Sequence, residues 1–272
     1  MTGRYIRRVA STRRRRHDAD AGGARELLAR KAALRERLWR DLERRRAARF
    51  PGAVGRIPNF AGAAEAADRL RGTASWRRAR TLKANPDSPQ LPVRQRALED
   101  GKIVFMAVPR LAGRHPFLRL DPGHLRTSPR RAASIGGAAR AGQPVQVEEL
   151  EPVDLLVCGC VAVDASGARL GKGGGFSDLE YALGWEAGLI GPHTVVATTV
   201  HELQVVRAGE IPTTAHDFAL DLVVTPERVI ECRPSARGRR RGRRTSPGIL
   251  WDELTPAKIA AIPLLARLAA RR

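Results

Sequence analysis

Val153-Asp154-Leu155-Leu156-Val157-Cys158-Gly159-Cys160-Val161-Ala162-Val163 leads into Asp164-Ala165-Ser166-Gly167-Ala168-Arg169-Leu170. Gly171-Lys172-Gly173-Gly174-Gly175-Phe176-Ser177-Asp178-Leu179-Glu180 follows directly. The first segment is a nearly unbroken apolar run, the composition of a strand buried on both faces. The second reads as a turn, and the third as a glycine-rich loop entering a helix. Such a junction aims several backbone N–H groups and the positive end of a helix dipole at one small volume, which suits a phosphate.

On either side of this stretch the same alternation repeats. Strands are expected at residues 81–84, at Ile103-Val104-Phe105-Met106-Ala107-Val108, at 194–200, at 220–224 and, as an edge, at 229–232. Helices are expected at 24–49, 63–70, 93–100, 179–188 and 256–270. Leu27, Lys31, Leu34, Leu38 and Leu42 recur at helical spacing, and Lys31 and Arg35, four apart, share one side of that helix. Residues 110–147, rich in Arg, Pro, Gly and Ala, read as surface connections. Strand–helix alternation with doubly apolar strands predicts an α/β protein with a mostly parallel sheet covered on both faces. Ligands of such sheets sit beyond the carboxyl ends of the strands, where the glycine loop, His201 and the Pro109-Arg110 turn fall.

With 272 residues, 43% of them hydrophobic, the chain has material for one large core. Residues 1–24 lack a hydrophobic period and are expected to form a disordered basic extension. The α/β domain is expected at 25–232 and an Arg-rich flexible linker at 233–247. Residues 248–272 should pack back through Ile259, Ile262, Leu265 and Leu268. The formal net charge of +21 would suit a nucleic-acid partner. However, lysine occurs only at 31, 83, 102, 172 and 258, and the arginine excess gathers around Arg13–Arg16 and at 237–244. Runs of that kind are usually solvated, so nucleic acid bound through the basic tails is the disfavoured alternative. Three cysteines give no disulfide framework, and Cys158 and Cys160 should share one packed face. No apolar run approaches the roughly 20 residues that span a bilayer, and no apolar segment follows the first arginines. A cytoplasmic protein without a membrane partner is expected.

The glycine loop is neither a Walker loop nor G-x-G-x-x-G, since the required spacings are absent. Lys172 supplies a charge within it and Asp178 is a candidate metal ligand. Asp221 stands inside an apolar strand, where a carboxylate must be paired, metal-bound or hydrogen-bonded to a backbone amide. His201 and His216 are candidates for acid–base work or for structural hydrogen bonds. No serine elbow, triad order or histidine cluster is present. From the residues alone the reading is a phosphate-binding α/β protein with magnesium as a candidate companion.

Lys31-x-x-Leu34-Arg35, Arg169-Leu170-Gly171-Lys172-Gly173-Gly174-Gly175-Phe176-Ser177-Asp178, and Asp217 to Asp221 with Thr225-Pro226 resemble the 5-formyltetrahydrofolate cyclo-ligase family. Arg56-Ile57-Pro58-Asn59-Phe60, Asn85-Pro86-Asp87, His201-x-x-Gln204-Val205-Val206 and His216-Asp217 bring the chain nearer the methenyltetrahydrofolate synthase domain-containing branch. The resemblance implies a three-layer α/β/α sandwich like that of ribose-phosphate isomerases and CoA transferases. It also implies ATP- and Mg2+-dependent conversion of 5-formyltetrahydrofolate to 5,10-methenyltetrahydrofolate. On that resemblance Lys31 and Lys172 would be catalytic, and Lys31, Arg35, Arg169, Gly171, Lys172, Gly173, Gly174 and Gly175 would hold ATP. Asn59 and Phe176 would meet the reduced folate, and Asp178 and Asp221 would hold magnesium. Cyclo-ligases commonly read Gly-Tyr-Tyr-Asp-Arg where this chain has Gly175-Phe176-Ser177-Asp178-Leu179. The alternative is a non-catalytic or regulatory member that binds a nucleotide or RNA.

Overall fold

The structure, a computed structural model, describes residues 3–108, 115–214, 217–232, 239–240, 243–244, 246 and 248–272. Pro109, Arg110, His216 and most of 233–247 lie outside these residues. In chain order the first elements are α1 (Gly3–Arg44), α2 (Ala63–Arg71), α3 (Ala74–Arg78), β1 (Thr81–Ala84), α4 (Leu91–Glu99), β2 (Ile103–Ala107) and β3 (Phe117–Leu120). Next come α5 (Pro129–Ala132), α6 (Ile135–Ala141), β4 (Gln143–Val145), β5 (Leu155–Val157), β6 (Ala162–Asp164), β7 (Arg169–Leu170) and α7 (Phe176–Glu186). The remainder holds β8 (Val195–Thr199), β9 (Val205–Val206), β10 (Leu222–Val224), β11 (Val229–Glu231), the short ribbon β12 (Arg239–Arg240) with β13 (Arg243–Arg244), α8 (Pro256–Ala261) and α9 (Pro263–Ala269).

The main sheet has the order β11-β10-β8-β5-β1-β2-β3-β4. Its centre, β10 through β2, is parallel, and β11, β3 and β4 add antiparallel edges. The alternation of side chains along a strand sends Leu82, Ala84, Leu155 and Val157 to one face, where Leu70, Trp76, Val93 and Leu98 cover them. Leu156, Val196 and Val223 face the opposite layer with Tyr181 and Ile190. Two covered faces make the three-layer α/β/α sandwich expected from the sequence. Each fully buried leucine contributes about 1.5–3 kcal/mol through removal from water.

The run 153–163 does not form one strand. It ends its path in the main sheet at Val157, crosses Cys158-Gly159-Cys160, and enters a second sheet of order β7-β6-β9 at Ala162. Close approach explains the glycine: a side chain on Gly159 would stand 2.8 Å from Ile57 Cγ2 and 3.0 Å from both Asp87 Oδ2 and Gln90 Oε1. Cys158 and Cys160 bring their Sγ atoms to 3.9 Å within one buried cluster. The small sheet carries α1, whose Leu34, Leu38, Trp39 and Leu42 pack with Val161, Ala162 and Leu170.

Two further differences from expectation stand out. Residues 1–24 were expected without regular structure, yet α1 begins at Gly3. Arg and Ala are good helix formers, and no proline interrupts the segment. Within 110–147, where only connections were expected, β3 and β4 extend the sheet and Phe117 and Leu120 are buried. A four-residue strand broken by Arg119 leaves little periodicity to detect.

Residues 248–272 lie on α7. Ile249, Ile262, Leu264 and Leu265 join Leu179, Leu183 and Phe117 in one buried cluster. Arg267 clamps the end of the segment to Gln146 at 2.9 Å and Glu148 at 2.8 Å. Among the described residues no helix is long and apolar enough to cross a membrane.

Candidate active site

β7 delivers the chain to the glycine loop and α7 takes it away. Gly173 has φ 109° and Gly175, the N-cap of α7, has φ 66°, a region that side chains disfavour. Gly173 also leaves room for the Arg35 guanidinium, which would lie 3.5 Å from any Cβ placed there. Arg35 Nε donates to the Gly171 carbonyl at 2.7 Å, fastening the loop to α1. Burial lowers the Arg35 pKa, with the charge of Asp217 opposing.

One turn earlier on α1, Lys31 Nζ donates to Asp217 Oδ2 at 2.8 Å, and both side chains are buried. The Asp217 carboxylate also accepts from the Thr214 N–H at 2.7 Å. Burial pushes its pKa up, but the bonds from Lys31 and Thr214 and the charges of Lys31 and Arg169 outweigh this and hold it below the usual range. Arg169, itself buried, pairs with Asp178 in the first turn of α7. Its guanidinium lies 3.6 Å over the Phe218 ring, which stacks on Tyr181 with centroids 4.3 Å apart. Burial disfavours the Arg169 charge, yet Asp178, Cys158, Cys160 and Asp217 raise its pKa overall. Its Nε has no hydrogen-bond partner among the described residues.

Sheet and helix meet below the loop through the buried pair Lys83–Glu180. Lys83 Nζ also donates to Asn85 Oδ1 at 3.4 Å, and Asn85 Nδ2 donates to Ser177 Oγ at 3.3 Å. Arg94 threads behind this segment, donating to the carbonyls of Asn85, Asp87 and Ala133. Burial lowers the Arg94 pKa to about 10, with Asp87 opposing.

Two acceptors remain poorly served. Burial, aided by Glu180, raises the Asp87 carboxyl above its ordinary range despite Lys172, Arg94 and Lys83, and Lys172 Nζ is 4.0 Å away. Gln90 is fully buried, and its Oε1 has no hydrogen-bond partner among the described residues. Its amide nitrogen contacts Thr199 only at 3.5 Å. Asp87 and Gln90 converge beside Gly159, at the carboxyl ends of β1 and β5. Asp87, whose side chain is partly exposed, can meet an N–H donor of a ligand, whereas Gln90 lies behind it out of reach. Next to them a cavity of about 540 Å3 is lined by Phe50, Asn59, Phe60, Glu65, Ser88 and Leu91.

The residues expected at the site separate into two groups. Lys31, Arg35, Arg169, Gly171 to Gly175 with Lys172, and Asp178 come together around the loop. Asp221 does not: it precedes β10, and its Oδ2 accepts from the Val196 N–H at 2.8 Å. By register that position is level with Val196, Leu156 and Lys83, and it lies three strands across the sheet from β1. The expected magnesium ligands Asp178 and Asp221 are each engaged elsewhere, Asp178 by Arg169 and Asp221 by the Val196 backbone donor. Asn59 lines the cavity but commits its amide to the Phe50 carbonyl at 2.7 Å. Phe176 packs beside Gly174 and the C-terminal segment. His201 caps the turn 202–204 by accepting from the Leu203 N–H at 3.1 Å, a structural role. His216 lies outside the described residues.

Sequence reasoning missed Lys83, Glu180, Asp87, Gln90 and the role of Asp217. Lys83 and Glu180 did carry a signal, since each is a charge inside an otherwise apolar element. Gln90 carried none, because its burial depends on the crossing at Gly159.

A parallel sheet with a cationic glycine loop at its carboxyl edge agrees with the comparisons to known proteins. The chain belongs to the 5-formyltetrahydrofolate cyclo-ligase family, whose family model matches residues 28–226. It is similar to the methenyltetrahydrofolate synthase domain-containing protein of Mus musculus, with 38% identity over 243 residues covering 89% of this chain and 63% of that protein. The Homo sapiens protein of the same description is 35% identical over 243 residues, covering 89% of this chain and 62% of its own length. This chain thus spans under two thirds of both. A 5-formyltetrahydrofolate cyclo-ligase from Mycolicibacterium smegmatis is 33% identical over 139 residues, 49% of this chain and 64% of that one. Among solved structures, the 5,10-methenyltetrahydrofolate synthetase of Aquifex aeolicus gives a TM-score of 0.47 at 18% identity, over 78% of this chain and 97% of that one.

Proposed function

We propose that the chain is an ATP-dependent ligase of the cytoplasm that closes 5-formyltetrahydrofolate, or a related formamide, to 5,10-methenyltetrahydrofolate. The carrying observation is the gathering of Lys31, Arg35, Arg169 and Lys172 at a glycine-rich loop at the start of α7. ATP supplies the phosphoryl group that activates the formyl oxygen, and N10 of the folate closes the ring as phosphate departs. Arg35 and Lys172 would hold the phosphates, while Lys31, oriented by Asp217, would meet the charge that develops during transfer. Asp87 offers an acceptor for the N–H edge of a pteridine, and the adjoining cavity offers Phe50 and Phe60 to its aromatic tail.

The side chains do not suit a magnesium held by the protein alone. Asp178 is engaged by Arg169, Asp221 accepts from the Val196 amide, and no group of three metal-ligating side chains occurs among the described residues. In this reading magnesium enters with ATP as part of the substrate. Three free thiols accord with a reducing compartment. The test is absorbance of methenyltetrahydrofolate formed from 5-formyltetrahydrofolate and MgATP. No product at high protein concentration, with other formylated folates also inert, would overturn the reading.

A further inference from the structure

We propose that the C-terminal segment is part of the phosphate cradle: Lys258 stands beside Gly175 as an additional cation for a polyphosphate chain. The inference rests on the nucleotide reading for its ligand, but its geometry is independent of it. Lys258 lies in α8, beyond residue 226, where the match to the family model ends. A side chain on Gly175 would stand 3.2 Å from Lys258 Nζ, and the same ammonium lies 5.8 Å from the centroid of the Phe176 ring. Gly175 is the N-cap of α7, an eleven-residue helix. Lys258 therefore arrives at the N-cap of α7, where the first N–H groups of a helix have no intrahelical partner.

The placement is built from several anchors. The Thr255 side chain accepts from the Lys258 N–H at 3.2 Å and fixes the first turn of α8. Upstream, the Ile249 N–H donates to Glu186 Oε1 at 2.9 Å, at the far end of α7. Downstream, Ile262, Leu264 and Leu265 are buried against the α7 residues Leu179 and Leu183. The segment thus grips α7 along its length and presents one lysine at its start.

Electrostatics identifies what belongs there. Cations are favoured at helix carboxyl ends and disfavoured at amino ends. Yet Arg35, Arg169, Lys172 and Lys258 all gather at the amino end of α7, and among the described residues Lys258 makes no ion pair. Arg169, whose Nη1 would lie 3.9 Å from a side chain on Gly171, has a buried Nε without a hydrogen-bond partner among the described residues. Asp178 neutralises one of these charges. A chain of phosphates, carrying several charges over a few ångströms, answers the rest.

The experiment is calorimetric titration of the full chain with inorganic tripolyphosphate and, separately, with MgATP. Wild type, Lys258→Gln and Lys258→Arg are compared, and the ligand-free melting temperature of each is recorded. Lys258→Gln is expected to weaken both ligands about tenfold, the loss of one charge-assisted contact. Lys258→Arg should restore most of it, with ligand-free melting unmoved. Unchanged affinity in Lys258→Gln, or a fall in ligand-free melting alone, would overturn the proposal. Tripolyphosphate binding that depends on Lys258, with no MgATP binding, would sustain the cradle and overturn the nucleotide reading. A wild-type chain that binds neither would overturn both.

Discussion

The ammonium of Lys83 on β1 meets the carboxylate of Glu180 on α7 inside the protein, with both side chains under a tenth exposed. A lysine pointing from the sheet into the helical layer is tolerated because the helix returns the opposite charge. Removing one partner strands the other in a low-dielectric site, at a cost of about 3–5 kcal/mol. Lys83→Met should show that loss in denaturant unfolding. The double variant Lys83→Met/Glu180→Leu should recover most of it, and additive losses would mean the two charges are not coupled.

Asp87 should behave oppositely. Its folded pKa lies above the unfolded value of about 3.9, so the penalty is absent in acid and complete once pH exceeds the folded value. At pH 7.5, Asp87→Asn is expected to raise the melting temperature by about 2–4 °C, the response of a chain this size to ~1 kcal/mol. Ligand affinity should fall in the same variant. A less stable Asn variant would remove Asp87 from the site, since functional groups characteristically trade stability for binding.

The Lys31–Asp217 pair predicts the acid limb of stability. Because the Asp217 pKa is held below its unfolded value, its contribution is complete above about pH 5. It disappears as pH falls through the folded value. Asp217→Asn should lower the melting temperature at neutral pH and flatten its decline between pH 5 and 3. Parallel curves for the two proteins would contradict the assignment.

Gly159→Ala tests the crossing between the sheets. Its methyl would press on Ile57, Asp87 and Gln90 together. The expected destabilisation is about 1–3 kcal/mol, the usual penalty of overpacking. Folate affinity should fall beyond what that loss explains, because the Asp87 acceptor must move. Full affinity in a destabilised variant would separate Gly159 from ligand binding.

The strand at 103–107 was legible because burial on both faces imposes an unbroken apolar run, and the one at 195–199 because β-branched residues dominate it. The same signal misled at 153–163: continuity of apolar residues marks burial but not the sheet in which a strand lies. The cations of the site were readable as types around a glycine loop, with the resemblance adding their roles. Their partners were not, since Lys31 and Asp217 are 186 positions apart and Lys83 and Glu180 are 97 apart. Asp221 shows the converse limit. An isolated carboxylate in a strand signals a need, and only register reveals that the Val196 amide meets it.

The crossing at Cys158-Gly159-Cys160 has a mechanical meaning. Lys31 and Arg35 ride on α1, whose apolar face is seated on the small sheet, whereas Asp87, Glu180 and Lys258 belong to the main sheet and its covering layer. A ligand held by both sets acts as a staple between α1 on the small sheet and the layer that covers the main sheet. Exchange of α1 backbone amides with solvent should therefore slow when the cradle is filled, while amides at the centre of β5 and β8 stay unchanged.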